Sequence, residues 1–438
     1  MRAPRFAPAL LAALLLAGCT AAPASSESTA SAEPAPSPAA KSAETPETPV
    51  ENAGSAQPLR PLLEGDEKQY YMVEMVTGEL IRYRVADLTA HETAVPCAVE
   101  GCAHDTEDCP AVFRRGECDK VFVLDEDTLV AFTNNNFPET EDSQVVLLDR
   151  DCQNRRVVAT LPDAVFSALA GEAPPYTDGQ YLYCFGFHGG YGDTPALFRI
   201  DPNSGEVTDL LEGTDAPVEQ LLGALGTHFV LVQWEREGGS DDPYAMTSAA
   251  PTATVHWMLD SAGGRATQIA RYPWKGSSPA NARARGFGYI LDGQYYQFDL
   301  DASTLRVWEA ETGDFRLITD QLPAGTLESS DQRVEKVKDW LVFFYPSLAI
   351  HVTTGEARQK PALPDNYWNG SAHQPSIYLN LGDTLLVDCR YEPYVRTVIG
   401  TDGEPYTVDA THEYLGLISA EDYLNGVPNY TEVGEYIA

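Results

Sequence analysis

From about residue 65 onward the chain is a succession of short apolar runs, rich in Tyr, Val, Leu, Phe and Thr and separated by turn residues. Runs of this length, bounded by Gly, Asp, Asn and Pro, are typical of β-strands. No segment sustains the i, i+3, i+4 spacing of apolar residues that an amphipathic helix requires. The pattern therefore predicts an all-β protein.

A repeating unit is visible within this β-rich region. One copy covers residues 178–207 and another covers residues 292–315; each has a turn, an aromatic strand, a second strand and then a turn of Ser or Thr, Gly and an acidic residue. Glycine supplies the positive φ that such tight turns require. The late turn recurs at intervals of roughly 40–60 residues. Its glycines are Gly205, Gly263, Gly313, Gly355 and Gly403.

Several strands per unit at this period predict a β-propeller. Residues 70–85 supply the first unit, which gives seven blades. Six or eight blades are the alternatives because the first and last units are the least regular, and a pair of β-sandwiches is the alternative fold. A propeller also suits a chain of 438 residues. A single core stops growing at roughly 250–300 residues, whereas stacked blades bury apolar surface between neighbours.

The first residues have a different character. Arg2 and Arg5 precede an apolar run that ends in small residues immediately before Cys19. Such a run fits an export signal, and it is too short to span a bilayer, which needs about 20 apolar residues. Small residues followed at once by Cys resemble the lipobox of bacterial lipoproteins. This resemblance implies cleavage after residue 18 and lipidation of Cys19; an ordinary secretory signal that contains a cysteine is the alternative.

The next segment has almost no large apolar side chains, because it consists mainly of Ala, Pro, Ser, Glu and Thr. Such a composition cannot bury enough surface to offset the entropy of ordering, so it predicts a disordered stalk. The predicted organisation is a signal peptide at 1–18, a lipidated stalk at 19–60, and a propeller domain at 61–438 with a Cys-rich insertion at 96–118.

The chain is strongly acidic, with a formal net charge of −36. A nucleic-acid partner is not expected, because nucleic acids are bound through Lys and Arg. The charge also argues against a chain that lies flat on an anionic membrane.

A cysteine-rich segment interrupts the repeat and contains Cys97, Cys102, His104, Cys109 and Cys118. Disulfides persist outside the cytoplasm, so the first hypothesis is two disulfides among the four cysteines, for which sequence leaves three pairings open. The second is a structural zinc site, because zinc accepts the three thiolates and imidazole of Cys97, Cys102, His104 and Cys109. The third is free thiols that only pack.

The zinc hypothesis carries a geometric condition. Cys102 and His104 are two residues apart and would point to opposite sides of an extended strand, so a shared metal requires a turn between them. The remaining cysteines are isolated from the cluster along the chain. Cys184 and Cys389 lie in strand-like segments and predict buried apolar thiols, whereas Cys152 lies in a predicted turn from which it could pair with a cluster member.

With these features the chain resembles predicted lipoproteins of Gram-positive, clostridial-type bacteria, which combine a lipobox, a low-complexity stalk and a β-propeller-like region. The Cys-x4-Cys-x-His-x4-Cys stretch from Cys97 to Cys109 carries the resemblance most sharply, and residues 417–423 carry it more loosely. The chain is also similar to the propeller regions beside dipeptidyl peptidases and to the domain of unknown function numbered 5050. The resemblance implies the propeller fold and brings no catalytic residues.

The chain lacks the common catalytic motifs, including G-x-S-x-G, the P-loop, the dinucleotide fingerprint and H-E-x-x-H. Two segments contain residues suited to contact a sugar or a peptide. His188 and Tyr191 lie in one, and Tyr367 and Trp368 lie in the other. Ordinary loops packed on their blades are the alternative for both.

These observations predict an extracytoplasmic protein, anchored to the bacterial cell membrane through lipidated Cys19. Its propeller is expected to be a non-catalytic binding or scaffolding module for a protein or a glycan. The alternative is a carbohydrate-active hydrolase or lyase that uses carboxylates in the propeller channel. No cofactor is expected beyond the alternative zinc, and the protein is expected to be a monomer.

Overall fold

The computed structural model describes the chain from Gln57 to Tyr436, apart from internal gaps. The gaps cover residues 78–79, 115–119, 134–141, 168–172, 190–193, 215–217, 237–250, 274–287, 300–301, 324–325, 327–332, 345–346, 364–366, 369–370, 373 and 400–404. The predicted signal peptide, Cys19, Cys118 and Tyr191 therefore lie outside the described residues. Among the residues that are described, no helix is long and apolar enough to cross a membrane.

Seven antiparallel sheets, taken as blades 1 to 7 in chain order, form the described fold. Blade 1 contains β2 (Gln69–Met75), β3 (Leu80–Asp87), β4 (Glu92–Ala94) and β5 (Val112–Arg114); blade 2 contains β6 (Val121–Val123), β7 (Thr128–Thr133), β8 (Ser143–Asp149) and β9 (Arg156–Leu161). Blade 3 contains β1 (Arg60–Pro61), β10 (Ala164–Phe166), β11 (Tyr176–Thr177), β12 (Leu182–His188), β13 (Thr194–Ile200) and β14 (Val207–Asp209).

Blades 4, 5 and 6 are more regular, with four strands each. Blade 4 contains β15 (Gln220–Leu225), β16 (His228–Arg236), β17 (Pro251–Asp260) and β18 (Thr267–Pro273); blade 5 contains β19 (Gly288–Leu291), β20 (Gln294–Asp299), β21 (Thr304–Glu309) and β22 (Asp314–Thr319). Blade 6 contains β23 (Val334–Val337), β24 (Trp340–Phe343), β25 (Leu348–His351) and β26 (Ala357–Gln359). A hairpin, β27 (Tyr367–Trp368) and β28 (Ser371–Ala372), precedes blade 7, which contains β29 (Ile377–Asn380), β30 (Thr384–Ile399), β31 (Pro405–Ser419) and β32 (Thr431–Tyr436).

The blades close into a ring. The first strands of blades 4, 5 and 6 contact one another in turn, so the first strands surround the axis. Blade 7 packs on blade 1 through an apolar cluster in which Leu386 and Val433 meet Tyr70 and Ala86. The predicted all-β, seven-bladed β-propeller is thereby confirmed. The alternatives of six blades, eight blades and paired sandwiches are wrong.

Apolar side chains fill the spaces between neighbouring blades. Between blades 2 and 3 the rings of Phe132, Phe166 and Phe198 meet edge to face, with centroids 5.2 Å and then 6.0 Å apart. Both faces of a blade are covered in this way, so a strand such as β12 is buried over almost its whole length. The core therefore grows by repetition, which explains how a chain of this length folds around one axis.

The ring has two distinct faces, because successive strands of a blade run in opposite directions. The turns between first and second strands lie on one face, here called the entry face. The connections between second and third strands, and those between blades, lie on the other, here called the loop face. Asp66, Asp125 and Asp178 begin three of the entry-face turns, and each side chain accepts hydrogen bonds from backbone N–H groups two and three residues later.

Residues 57–65, here called the entry segment, cross the entry face. Their backbone hydrogen bonds, each 2.8 Å long, join Leu59 N–H to Gly226 O of blade 4, Leu62 N–H to Pro175 O of blade 3, and Val123 N–H of blade 2 to Leu63 O. Gly65 then forms a bridge with Tyr70 at the inner edge of blade 1. The segment thus connects blades 2, 3 and 4, which are distant from it in sequence, to blade 1, which directly follows it.

Blade 7 departs from the repeat. The strands β30 and β31 continue past their partners β29 and β32. Among the described residues, 392–399 and 405–412 pair only with each other. We call this two-stranded extension the arm. A short helix, α1 (Ala420–Asn425), joins β31 to β32; the Ser419 side chain accepts a hydrogen bond from Asp422 N–H at its start, and Gly426 ends it with φ 68°.

Two details of the repeat differ from the expectation. Gly403 was expected between the third and fourth strands of its blade, but its position in the chain is between β30 and β31, the second and third strands. The fourth strand of blade 7 instead follows α1. That helix has six residues, too few for a helical period to appear in the sequence.

Candidate functional site

The cysteine cluster lies in an excursion from the outer strand of blade 1. The strands β4 and β5 pair with the same edge of β3, at Val85–Asp87 and at Leu80–Arg82 respectively. They are therefore two halves of one strand. Residues 95–111, here called the cysteine loop, leave the sheet after the first half and return to it at the second.

The backbone of the cysteine loop turns repeatedly. Cys102 N–H donates to Val99 O over 3.2 Å, and Cys109 N–H donates to Thr106 O over 3.0 Å. Gly101 and His104 both have positive φ, 73° and 57°. The left-handed conformation at His104 supplies the turn that the sequence required between Cys102 and His104 if both were to face one point.

Four potential ligand atoms converge inside this loop. The sulfur atoms of Cys97, Cys102 and Cys109 and a ring nitrogen of His104 all lie within 4.8 Å of one another. Within this group, His104 Nδ1 and Cys109 Sγ are 3.3 Å apart. Cys109 is buried and the other three residues are partly buried. This arrangement brings together all four residues of the alternative zinc set.

The surroundings hold the cysteine loop against blade 2. Cys109 packs in the apolar cluster between blades 1 and 2, together with Cys152 and Phe113. Arg155, from the third-to-fourth strand turn of blade 2, lies with its guanidinium 3.6 Å from the centre of the Phe113 ring and donates to Val112 O over 2.7 Å. Arg82 Nη1 donates to His104 O over 3.4 Å.

The thiols of the cluster differ in acidity. A hydrogen bond from the backbone N–H of His104 lowers the pKa of the Cys102 thiol. Burial raises the pKa of the Cys109 thiol to about 12. The buried Cys152 thiol nearby also has its pKa raised to about 12, chiefly by burial.

The disulfide hypothesis stays a prediction, because Cys118 lies outside the described residues. Cys97, Cys102 and Cys109 are free thiols in the structure. Cys184 and Cys389 are buried among apolar neighbours, at 1% and 6% relative exposure, as expected.

Tyr191 lies outside the described residues, and the other predicted ligand-contact residues, His188, Tyr367 and Trp368, lie on the loop face on opposite sides of the ring. His188 ends β12 in blade 3, where its Nε2 is 3.1 Å from Asp209 Oδ2 and its ring meets the edge of Phe198. Tyr367 and Trp368 form β27 in the connection between blades 6 and 7. Half a ring separates the two groups, so they do not form one site.

An acidic cluster in blade 7 was not identified from sequence. The Tyr391 hydroxyl donates to Asp388 Oδ2, and the Tyr378 hydroxyl donates to Glu413 Oε1. Asp388 is fully buried, and burial raises its pKa to about 7; burial also raises the pKa of Glu413. The one feature of the sequence that could have indicated this cluster is the acidic residue directly after the apolar run Leu385–Val387. The bulge between Asp388 and Arg390 has no signature in the sequence.

Comparisons with known proteins assign neither a family nor a function to this chain. No family model matches the chain, and no curated protein matches it in sequence. Among solved structures it is similar to TolB from Acinetobacter baumannii, with 10% identity, a TM-score of 0.33, and coverage of 81% of this chain and 77% of that one. It is also similar to an oligogalacturonate lyase in complex with manganese, with 13% identity, a TM-score of 0.37, and coverage of 81% and 97%.

Proposed function

We propose that this protein is an extracytoplasmic lipoprotein, anchored to the cell membrane through lipidated Cys19, whose propeller is a non-catalytic binding module for a protein partner. The observation that carries the binding role is the arm of blade 7. The lipid anchor rests on the sequence before Cys19 and on the resemblance to bacterial lipoproteins.

The arm is exposed on both of its faces. Its eight residue pairs, from Glu392 with His412 to Ile399 with Pro405, extend for about 25 Å at ~3.3 Å per residue. Val395 and Tyr406 point to opposite faces of this ribbon and are 65% and 54% exposed. A two-stranded ribbon is marginally stable by itself. Large apolar side chains on both faces of such an element favour a role in contact with another molecule.

The chemistry of the arm favours a protein over a glycan. Both long edges of a two-stranded ribbon present unpaired backbone N–H and C=O groups, which another extended polypeptide can pair with. The apolar groups of Val395 and Tyr406 add contact area on either face. A glycan ligand, the other class that the sequence predicted, is one outcome of the test below.

The positions of the entry segment and the arm support the anchored arrangement. The entry segment lies on the entry face, whereas the arm, which lies between second and third strands, extends from the loop face. An anchor at Cys19 would be joined to the propeller at the entry face. The arm lies on the opposite face of the ring from the entry segment, and a flexible stalk of about 40 residues would add roughly 35 Å of reach.

The test replaces the two exposed apolar residues of the arm, Val395→Ser with Tyr406→Ser. The matched control is Val157→Ser with Leu317→Ser, two residues with 49% and 50% exposure on other blades. Cells carrying each full-length form are cross-linked, and the cross-linked partners are compared by mass spectrometry. We expect one protein partner that the arm variant loses by at least ~10-fold, as for a residue at the centre of an interface, and that the control keeps.

Two results would contradict this proposal. One is a partner profile that is equal for the arm variant and the control. The other is a protein that binds a glycan array and no protein, with glycan binding unchanged by the arm substitutions.

A second candidate function is the carbohydrate-active enzyme that uses carboxylates of the propeller. The specific observation in its favour is that burial raises the pKa of both Asp388 and Glu413. Hydrolysis of a glycosidic bond uses two carboxyl groups, of which one is kept protonated near neutral pH. Turnover of a polysaccharide by the purified protein, abolished by Asp388→Asn, would favour this candidate over the binding module.

A further inference from the structure

We propose that Cys97, Cys102, His104 and Cys109 bind one zinc ion, and that this ion fixes the cysteine loop within the outer strand of blade 1. The site shares no residue with the arm, and it does not depend on lipidation or on any binding partner. The positions of four donor atoms and the backbone that places them support this site.

The donor set is one that zinc uses in structural sites. Three thiolates and one imidazole complete a tetrahedron without leaving a position for water, which distinguishes a structural site from a catalytic one. With zinc–sulfur bonds of about 2.3 Å, neighbouring sulfur atoms of a tetrahedron are ~3.8 Å apart. The four ligand atoms here lie within 4.8 Å of one another, and His104 Nδ1 is 3.3 Å from Cys109 Sγ. Adjustment of side-chain torsions is enough to reach zinc geometry.

The backbone of the cysteine loop already has the shape that chelation requires. The left-handed residues Gly101 and His104 direct Cys102 and His104 to the same side. Arg82 Nη1 donates to the backbone carbonyl of His104 over 3.4 Å, which helps to fix the backbone of this ligand. The ligands are therefore brought together by contacts that do not involve the metal.

A cross-link would stabilise the cysteine loop. Residues 95–111 contain neither strand nor helix, yet they connect β4 to β5, which must stay in line on one edge of β3. Ordering such a stretch costs conformational entropy. Zinc binding offsets that cost because the free energy of metal binding becomes free energy of folding. The buried Cys109 would then connect the ion to the apolar boundary between blades 1 and 2.

The three thiolate ligands favour zinc over most other metals. Soft sulfur donors with one imidazole exclude magnesium and calcium, which take oxygen ligands, and tetrahedral coordination by three sulfur atoms and one nitrogen is typical of zinc. A disulfide between any two of the three cysteines would remove two of the four ligands. Zinc and a disulfide within Cys97, Cys102 and Cys109 are therefore mutually exclusive states, and one experiment distinguishes them.

The test measures zinc in the purified full-length chain by elemental analysis, and its thiols by intact mass under denaturing conditions with and without reductant. Three variants accompany the wild type. His104→Ala removes a ligand, and His104→Cys replaces it with another zinc ligand. Cys184→Ala removes a buried thiol of blade 3, remote from the cysteine loop.

We expect one zinc per chain in the wild type, with Cys97, Cys102 and Cys109 reduced. His104→Cys and Cys184→Ala should retain the ion. His104→Ala should release it to a competing chelator at least ~10-fold more readily, since even outer contacts of a zinc ligand change affinity by 10–100-fold. Cobalt(II) in place of zinc should give the visible absorption of a tetrahedral thiolate complex in the wild type and lose it in His104→Ala.

Specific results would overturn the proposal. They are a wild-type chain with no zinc, a disulfide within Cys97, Cys102 and Cys109, or equal zinc retention by His104→Ala and the wild type. If His104→Ala fails to fold, zinc is instead removed from the wild type with a chelator. Limited proteolysis then compares the wild type with and without zinc. Increased proteolytic cleavage confined to residues 95–111 supports the proposal, and an unchanged cleavage pattern refutes it.

Discussion

His256 of β17 and Tyr295 of β20 hydrogen-bond to each other across the boundary between blades 4 and 5, through the imidazole Nδ1 and the phenol oxygen. Both side chains are almost completely buried, at 1% and 0% exposure. The ring of Tyr272 lies edge-on to the imidazole, with centroids 5.3 Å apart. The other blade boundaries are filled by apolar clusters. The boundary between blades 4 and 5 differs from them, because it contains a polar contact among aromatic rings.

Burial of His256 makes stability dependent on pH. Burial lowers the pKa of His256 to about 3, against an ordinary value of 6.5. Between these values the unfolded chain binds a proton that the folded chain does not. Stability therefore falls as the pH is lowered from 6.5 towards 3, by up to about 1.4 kcal/mol per pH unit from this group.

The measurement is chemical denaturation at several pH values, followed by tryptophan fluorescence. We expect His256→Gln, which keeps a hydrogen-bonding side chain, to have a weaker loss of stability below pH 6.5 than the wild type. The control is His228→Gln, because His228 has 40% side-chain exposure. An acid dependence that is the same for His256→Gln and the wild type would show that His256 is protonated in the folded state.

The contribution of the entry segment to the stability of the ring can be tested at Leu62. Leu62 is fully buried in the cluster between blades 2 and 3, whereas its neighbour Leu63 is 43% exposed. Leu62→Ala leaves a cavity and should lower the free energy of unfolding by about 2–5 kcal/mol. Leu63→Ala is the matched control and should change it by no more than ~0.5 kcal/mol. Equal effects of the two substitutions in thermal unfolding would mean that the entry segment does not pack as described.

Because Asp388 can ionise, we expect it to lower the stability of the folded protein as the pH rises. Burial raises its pKa to about 7, from an ordinary value of 3.8. Between these values the folded state keeps a proton that the unfolded state has lost, so this group's contribution to stability falls as the pH rises from 3.8 to 7. Asp388→Asn cannot ionise and should gain stability relative to the wild type over that range.

Denaturation curves at pH 5 and pH 8 would measure this gain. The control is Asp383→Asn, since the Asp383 side chain is 92% exposed. A relative stability of Asp388→Asn that does not change with pH would show that Asp388 is already ionised in the folded protein at pH 5. Asp388→Asn also tests the carbohydrate-active enzyme candidate, for which the measurement is loss of polysaccharide turnover.

Lipidation of Cys19 predicts membrane association that depends on one residue. Cys19→Ala removes the acylated thiol, and we expect the protein to move from the detergent phase to the aqueous phase after phase separation. The control is Cys184→Ala, which should partition like the wild type. Wild-type protein that is found in the aqueous phase and lacks the mass of acyl chains would favour the ordinary secretory signal.

Local patterns in the sequence determined the fold of this protein. A strand needs only a few apolar residues between turn residues, and a repeat of four such strands can bury its surfaces only against copies of itself. Tight turns such as the one at Gly205, which has φ 77°, mark the unit directly. The all-β class and the count of seven blades could therefore be predicted from the order of residues.

The tertiary structure decided everything that depends on residues far apart in the chain or on single backbone torsions. The sequence identified Cys97, Cys102, His104 and Cys109 as a possible ligand set, but only the left-handed turn at His104 places them around one point. The contacts of the entry segment with blades 2, 3 and 4, and the arm beyond blade 7, have no local signature. They arise because ring closure determines which strand ends meet and which strands extend past their partners.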